Sequence, residues 1–193
     1  MNIRSAIARN DLPHRLFTVK DVERMVEVGL IQENERVELI EGELVPMSPK
    51  GNRHEVVKQA LLELWYPLRD PVAALIPETT FRISEYTYLE PDICIYPREV
   101  GLAGLNPATV LLVVEIGVTS LGYDLGVKSV VYAHYGVREL WVIDATDGAI
   151  HVHRDPIDGK YGSVVRIPAA DLAVPAFAPE AFAVRLADLD LDL

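Results

Sequence analysis

The chain has 193 residues, half of them hydrophobic, which is enough to bury a substantial core as one domain, and no shift in composition marks a second. Its 18 basic residues against 29 acidic ones leave a formal net charge of −11, which excludes a general phosphate-binding surface and confines any nucleic-acid contact to a local patch. The lone Cys94 excludes an internal disulfide, and residues 1–11 carry no apolar leader; with no apolar run long enough to span a bilayer, the expectation is a cytoplasmic protein without membrane contact.

Residues 1–16 read as an irregular extension and 17–193 as a single domain. Thr18 followed by Asp21 forms a capping-box pattern ahead of Val22, Met25 and Val26, predicting a helix that Gly29 ends. Two short alternating runs over 36–45, broken by Glu41-Gly42, predict a β-hairpin whose parity sets Glu38 and Ile40 on one face. Val56, Val57, Ala60, Leu61, Leu64 and Trp65 recur at helical spacing and predict an amphipathic helix over 52–66. Extended segments follow over 72–76, 79–83 and 92–96, with Cys94 as a small core residue in the last. The nearly unbroken aliphatic run 110–116 predicts a strand buried on both faces, with one carboxylate, Glu115, near its end. A helix over 124–135 stopped by Gly136, a strand over 139–144, a turn at Thr146-Asp147-Gly148 and a strand over 149–153 complete an α/β pattern. The last segment, with Pro168, Pro175 and a Leu/Asp alternation, fits either a terminal strand or a solvated tail.

Asp92 opens one strand and Glu115 lies near the end of another, so adjacent pairing would bring two carboxylates to one sheet edge. Hard cations such as Mg²⁺ are held by such oxygens, keep several waters, and leave positions for a phosphate oxygen and an attacking water. The carbonyl of Ile116 is a further ligand candidate, Lys128 on the following helix could orient the water or offset developing charge, and Glu38 and Glu41 are candidate supporting acids. Bland readings stand beside these. Asp124 and Lys128 have the spacing of an exposed helical ion pair, Glu115 could be a solvent-facing strand-end acid, and Glu41 and Glu43 fit a hydrated hairpin. His54 could simply hydrogen-bond locally, His151 and His153 fit a solvated hairpin, and Trp65, Trp141, Tyr132 and Tyr135 fit packing without a binding role. A Gly-rich phosphate loop, a nucleophile-elbow serine and a Cys-x-x-Cys pair are all absent from the sequence.

The ordered succession ERVELIEGELVPMSP, Arg53-His54, LEPDICIY, LLVVEIGVTS and YDLGVKSVVYAHYGVRELWVID resembles the Uma-type "putative restriction endonuclease" family, assigned to the PD-(D/E)XK nuclease superfamily, over about Phe17 to His153. The resemblance implies a restriction-endonuclease-like core, a mixed central β-sheet flanked by helices with an N-terminal helix and β-hairpin. It further implies Mg²⁺-dependent DNA cleavage, with Mn²⁺ as a substitute, by a homodimer. Pro91-Asp92 stands at the PD position and Glu115 at the (D/E) position, while Gly117 stands where the usual lysine follows. The family's own variation displaces that lysine to the next helix, here Lys128, with Asp124 matching an acid that precedes it, Glu38 matching the acid of the N-terminal string and His54 matching a family position. The chain departs from the family at Gly117-Val118-Thr119-Ser120, commonly SPST-like, and at Leu121-Gly122-Tyr123, where several arginines are common. The altered loop and the net negative charge motivate an alternative, a non-catalytic interaction or regulatory module on the nuclease fold.

Overall fold

A computed structural model describes residues 15–32 and 34–191, so the irregular reading of 1–16 lies outside the described residues except for its last two. The chain divides into two compact units, Met1–Met47 with Ser84–Tyr88, and Ser48–Ile83 with Leu89–Leu193.

In the smaller unit, helix α1 (Val19–Glu27) starts where the capping box predicts. The Thr18 hydroxyl accepts from the Asp21 N–H at 3.1 Å, and Asp21 Oδ2 accepts from the Thr18 N–H at 2.8 Å, satisfying two amide groups that the first helical turn leaves unpaired. Strands β1 (Val37–Ile40) and β2 (Glu43–Pro46) pair antiparallel across Glu41-Gly42. Both turn residues have positive φ, 50° and 84°, as a two-residue hairpin of this hand requires, and a Cβ on Gly42 would lie 2.6 Å from Leu16 Cβ. Val19 and Val22 of α1 pack with Ile31, Leu39 and Tyr88 in a small core.

The larger unit is organised by a six-stranded sheet in the order β10-β9-β8-β7-β6-β3. Its strands are β3 (Ala73–Pro77), β6 (Ile93–Pro97), β7 (Leu112–Gly117), β8 (Glu139–Asp144), β9 (Ala149–Ile157) and β10 (Lys160–Pro168). The intervening β4 (Phe81–Ser84) and β5 (Thr87–Leu89) lie where the chain passes from this unit to the smaller one and back; β5 has no counterpart among the predicted elements. The sheet is mixed. β7 and β8 run parallel, joined by a helical crossover over 121–134, and every other neighbouring pair is antiparallel.

Helix α2 (Asn52–Trp65) presents Val57, Leu61 and Trp65 to a core with Ile93, Ile95, Leu112, Val114, Ile116, Trp141 and Ile143, which are alternate residues of β6, β7 and β8. The opposite face of the same strands carries Cys94, Val113 and Glu115, so β7 is buried along its whole length, as its aliphatic run predicts. The crossover is not the continuous α-helix read from the sequence. An α-turn at Leu121–Tyr123 (α3) leads into a π-helical segment, Asp124–Lys128, and then helix α4, Ser129–His134. The Ser129 N–H donates to the Asp124 carbonyl, the five-residue reach that defines the π turn.

Two expectations near the C-terminus are corrected. β9 runs on to Ile157 and pairs with β10, which was not foreseen; the hairpin turns at Asp158-Gly159, both at positive φ. The final segment is neither a regular strand nor a solvated tail. It folds back on itself, Ala173 and Val184 exchanging backbone hydrogen bonds and the Ala187 N–H donating to the Ala169 carbonyl, and buries Phe182, Val184 and Leu186 in the main core.

Buried Glu139 fixes that segment. Its Oε1 accepts from Trp141 Nε1 at 2.9 Å and from Arg154 Nε and Nη2 at 2.9 and 2.6 Å, while Oε2 accepts from the Ala176 and Phe177 N–H groups at 2.7 and 3.2 Å. Replacing Glu139 by Ala would orphan four donor groups, one of them charged, and is expected to cost about 3–5 kcal/mol, read as a fall in the urea midpoint.

His153 is buried, not in a solvated hairpin, and its Nδ1 donates to the His151 carbonyl at 3.0 Å. Burial pushes its pKa below the ordinary 6.5, so the unfolded chain takes up a proton that the folded one resists. This contribution to stability is present above pH 6.5 and is lost as pH falls through the lower, folded pKa. Denaturation midpoints measured across that range should fall with acid, and should fall less in His153→Phe.

Candidate active site

The antiparallel register sets Ile93 opposite Val114, so Asp92, the residue before β6, and Glu115, the residue after Val114 on β7, lie near the same end of the two strands. Both acids are buried, at 3% and 2% exposure, and each is compensated, because an isolated charge at such a position would cost several kcal/mol.

Asp92 is held from three sides. Its Oδ2 accepts from His54 Nε2 on α2 at 2.9 Å and from the Ile116 N–H at 2.8 Å; its Oδ1 accepts from Lys50 Nζ at 2.6 Å. Burial pushes the carboxyl pKa up, but the hydrogen bond and charge of His54 together with Lys50 outweigh it and hold the group at about 2, ionised at neutral pH. Lys50 also donates to Glu78 Oε1 at 2.6 Å, and Lys58, one helical turn beyond His54, donates to that same oxygen at 2.8 Å and pairs with Glu55 at 2.7 Å.

Glu115 projects towards the crossover helix. Its Oε1 accepts from Lys128 Nζ at 3.1 Å and from the Tyr132 hydroxyl at 2.6 Å, lysine and tyrosine lying four residues apart on one helical face. Beneath it Cys94 is fully buried, and burial, with the Glu115 charge added, pushes its thiol pKa well up, as befits a core residue. Asp124 accepts from the Ser120 hydroxyl at 2.8 Å and lies 3.9 Å from Lys128 Nζ, and the Tyr123 ring faces that ammonium at 5.9 Å. The exposed ion-pair reading of Asp124 and Lys128 therefore fails: their side chains are 4% and 5% exposed. The solvent-facing reading of Glu115 fails likewise.

Of the residues singled out in the sequence, Asp92, Glu115, Ile116, Lys128, His54 and Asp124 all lie along the β6–β7 end and the two helices that pack on it. Glu38 sits in β1 of the smaller unit, buried and opposite Val45, while Glu41 and Glu43 are exposed, as a hydrated hairpin predicts. Three participants were missed. Tyr132, read as packing alone, donates to Glu115; its spacing from Lys128 was the available signal. Lys50 and Glu78 lie in segments with no motif of their own, and only the tertiary fold brings them to Asp92.

Gly117 has a steric reason. A Cβ there would stand 2.7 Å from Leu121 Cα and 3.0 Å from its N, so the position two residues after Glu115 has no room for a side chain. The ammonium reaches Glu115 from the helix instead. Gly117→Ala should destabilise the fold by about 1–3 kcal/mol, as overpacking against backbone does, measured by thermal melting. Gly117→Lys in a Lys128→Ala background should not regain whatever activity Lys128 supports.

Among the described residues no group of three or more His, Cys, Asp or Glu side chains is arranged around a common point for a metal. The donor chemistry nonetheless suits a hard divalent ion. Two carboxylates, Asp92 and Glu115, lie near one end of neighbouring strands. The Ile116 carbonyl leaves β7 on the same side as its N–H, towards Asp92, because both groups of a strand residue point to one neighbour. Asp92 Oδ1 carries the Lys50 ammonium at 2.6 Å.

A mixed sheet with helices on both faces and buried acids near one end of two neighbouring strands is consistent with a restriction-endonuclease-like core. A family model, Uma2, described as "Putative restriction endonuclease", matches residues 19–187, and the chain belongs to that family. Membership supports a nuclease function. A solved structure described as a "putative nuclease belonging to DUF820" from Anabaena variabilis ATCC 29413 is similar in fold, with a TM-score of 0.63 at 16% identity, covering 84% of this chain and 91% of that one. No curated protein matches the chain. No helix among the described residues is long and apolar enough to cross a membrane.

Proposed function

We propose that this protein is a Mg²⁺-dependent endonuclease that hydrolyses DNA phosphodiester bonds through a PD-(D/E)XK-type site whose lysine is displaced to the crossover helix. The observation that carries the reading is the burial of Asp92 and Glu115 near one end of the neighbouring β6 and β7, with Lys128 Nζ 3.1 Å from the Glu115 carboxylate. Asp92, Glu115 and the Ile116 carbonyl would hold the cation, Mg²⁺ or in its place Mn²⁺. When bound, such an ion supplies Lewis-acid polarisation of the phosphate and a more acidic water. Lys128 orients the attacking water and offsets charge that develops on the phosphate oxygens. Tyr132 and the Ile116 N–H keep the two carboxylates in place, and His54 and Asp124 support them as neighbours. Glu38 is proposed as an assisting acid from the hairpin. The chain is further proposed to act as one domain over 17–193, in the cytoplasm, and as a homodimer, since cutting a duplex takes two sites and two-fold pairs are the commonest assemblies.

The internal satisfaction of Asp92 favours a second reading, a regulatory or interaction module that keeps the fold without catalysis: both of its oxygens are already bonded by Lys50, His54 and the Ile116 N–H. Cleavage of supercoiled, linear and single-stranded DNA with Mg²⁺ or Mn²⁺ separates the two. Asp92→Ala and Lys128→Ala should each lower the cleavage rate by about 10²-fold or more while leaving the circular-dichroism spectrum unchanged. Calorimetry should find a divalent-ion site in the wild type that Asp92→Ala lacks. Wild-type rates in Asp92→Ala would reject the proposed site, and a folded wild type that neither binds ion nor cuts would favour the module.

A further inference from the structure

A protein of charge −11 that acts on DNA needs a local positive surface, and the segment ahead of Asp124, Leu121-Gly122-Tyr123, holds no arginine. The larger unit places two lysines on the other side of Asp92 instead. Lys50, just before α2, and Lys58, within it, have side chains 12% and 10% exposed, so they are partly enclosed, and both ammonium groups donate to one oxygen, Glu78 Oε1. That oxygen belongs to the most open member of the trio, its side chain 39% exposed. Asp92, Glu115 and Lys128 are nearly closed to water, so the Lys50–Glu78–Lys58 cluster is the solvent-facing side of the Asp92 group.

The geometry points to this cluster as a phosphodiester cradle of the DNA backbone, in which Glu78 holds the place of a substrate phosphate until DNA displaces it. The match is one of charge and shape. A phosphodiester carries a single negative charge on two non-bridging oxygens, as a glutamate carboxylate does, and two ammonium groups within hydrogen-bond reach of one oxygen can clasp either. Glu78 can leave because it is a side chain at the surface, whereas the lysines are held: Lys58 by its helix and by Glu55, Lys50 by Asp92 at 2.6 Å. A phosphate seated there lies one lysine away from Asp92, which puts the backbone of a bound strand beside the acids without any broad basic face. The inference deepens the nuclease reading and rests on it for the identity of the anion.

The test is binding of a short fluorescein-labelled DNA duplex, followed by anisotropy in EDTA over a series of salt concentrations, so that no cleavage intervenes. Glu78→Gln removes the competing charge and should tighten binding by roughly tenfold. Lys58→Gln should weaken binding by a similar factor and lower the salt slope by about one, whereas Lys58→Arg should keep the slope. Thermal melts of all three variants check the fold, and the double variant Lys58→Gln with Glu78→Gln should lose the gain made by Glu78→Gln alone. Glu78→Gln binding no tighter than wild type, or Lys58→Gln keeping both affinity and slope, overturns the cradle. Cleavage by the wild type together with binding indifferent to these residues would overturn the cradle and leave the nuclease reading standing. Cradle-dependent binding without cleavage under any divalent ion would uphold the cradle and overturn the nuclease reading.

Discussion

An ionised carboxylate buried in a sheet must be met by donors from whatever surrounds it, and in this protein that requirement joins elements that are distant in sequence. Asp92 draws in Lys50, His54 of α2 and the backbone of β7; Glu115 draws in Lys128 and Tyr132 of the crossover helix. Each acid thus ties one helical layer to the sheet, and both do so near the same end of the neighbouring strands β6 and β7. The same rule operates away from the site, where Glu139 gathers Trp141, Arg154 and two amide groups of the C-terminal segment. Buried pairs of this kind add little net stability over an apolar core of equal volume, yet removing one partner is costly. They therefore fix arrangement more than they add strength, which suits a constellation whose chemistry depends on position.

That Lys128 reaches Glu115 from the helix and not from the strand follows from close packing. Leu121 crosses so near Gly117 that only glycine fits there, and a long cationic side chain must come from another direction. The crossover helix supplies it on a face that also carries Tyr132, so one element both orients the acid and provides the ammonium. Close approach of the helix to the end of β7 and the bare backbone at Gly117 are one structural fact seen from two sides.

The periodic elements were legible in the sequence. The capping box at Thr18, the hairpin at Glu41-Gly42, the helical spacing of Val57, Leu61 and Trp65, and the aliphatic run through Glu115 each report a local preference that the fold keeps. Asp92, Glu115 and Lys128 were singled out through their motif positions, and all three are buried and hydrogen-bonded. What stayed hidden has no local signature. Lys50 and Glu78 acquire their roles only when strand order brings residues far apart in the chain to one carboxylate, and Tyr132 looked like one packing aromatic among several. β10 was missed for a different reason: its face alternates weakly, with Val164 and Val165 both exposed, although the Asp158-Gly159 pair was a turn signal in plain view. The solvated readings of His153 and of the Asp124–Lys128 pair failed because charge and spacing on one element say nothing about which neighbour will cover it.

The π turn at Asp124–Lys128 is an α-helix carrying one surplus residue, a form that a chain left to its own preferences would discard. Loss of a single codon in that stretch would let the helix relax into ordinary winding. It would also swing everything on one side of the deletion by about 100° about the axis relative to the other. A shorter gene would then encode a sounder helix whose ammonium no longer met its acid. The irregularity is thus an angular setting, kept at the expense of helical regularity.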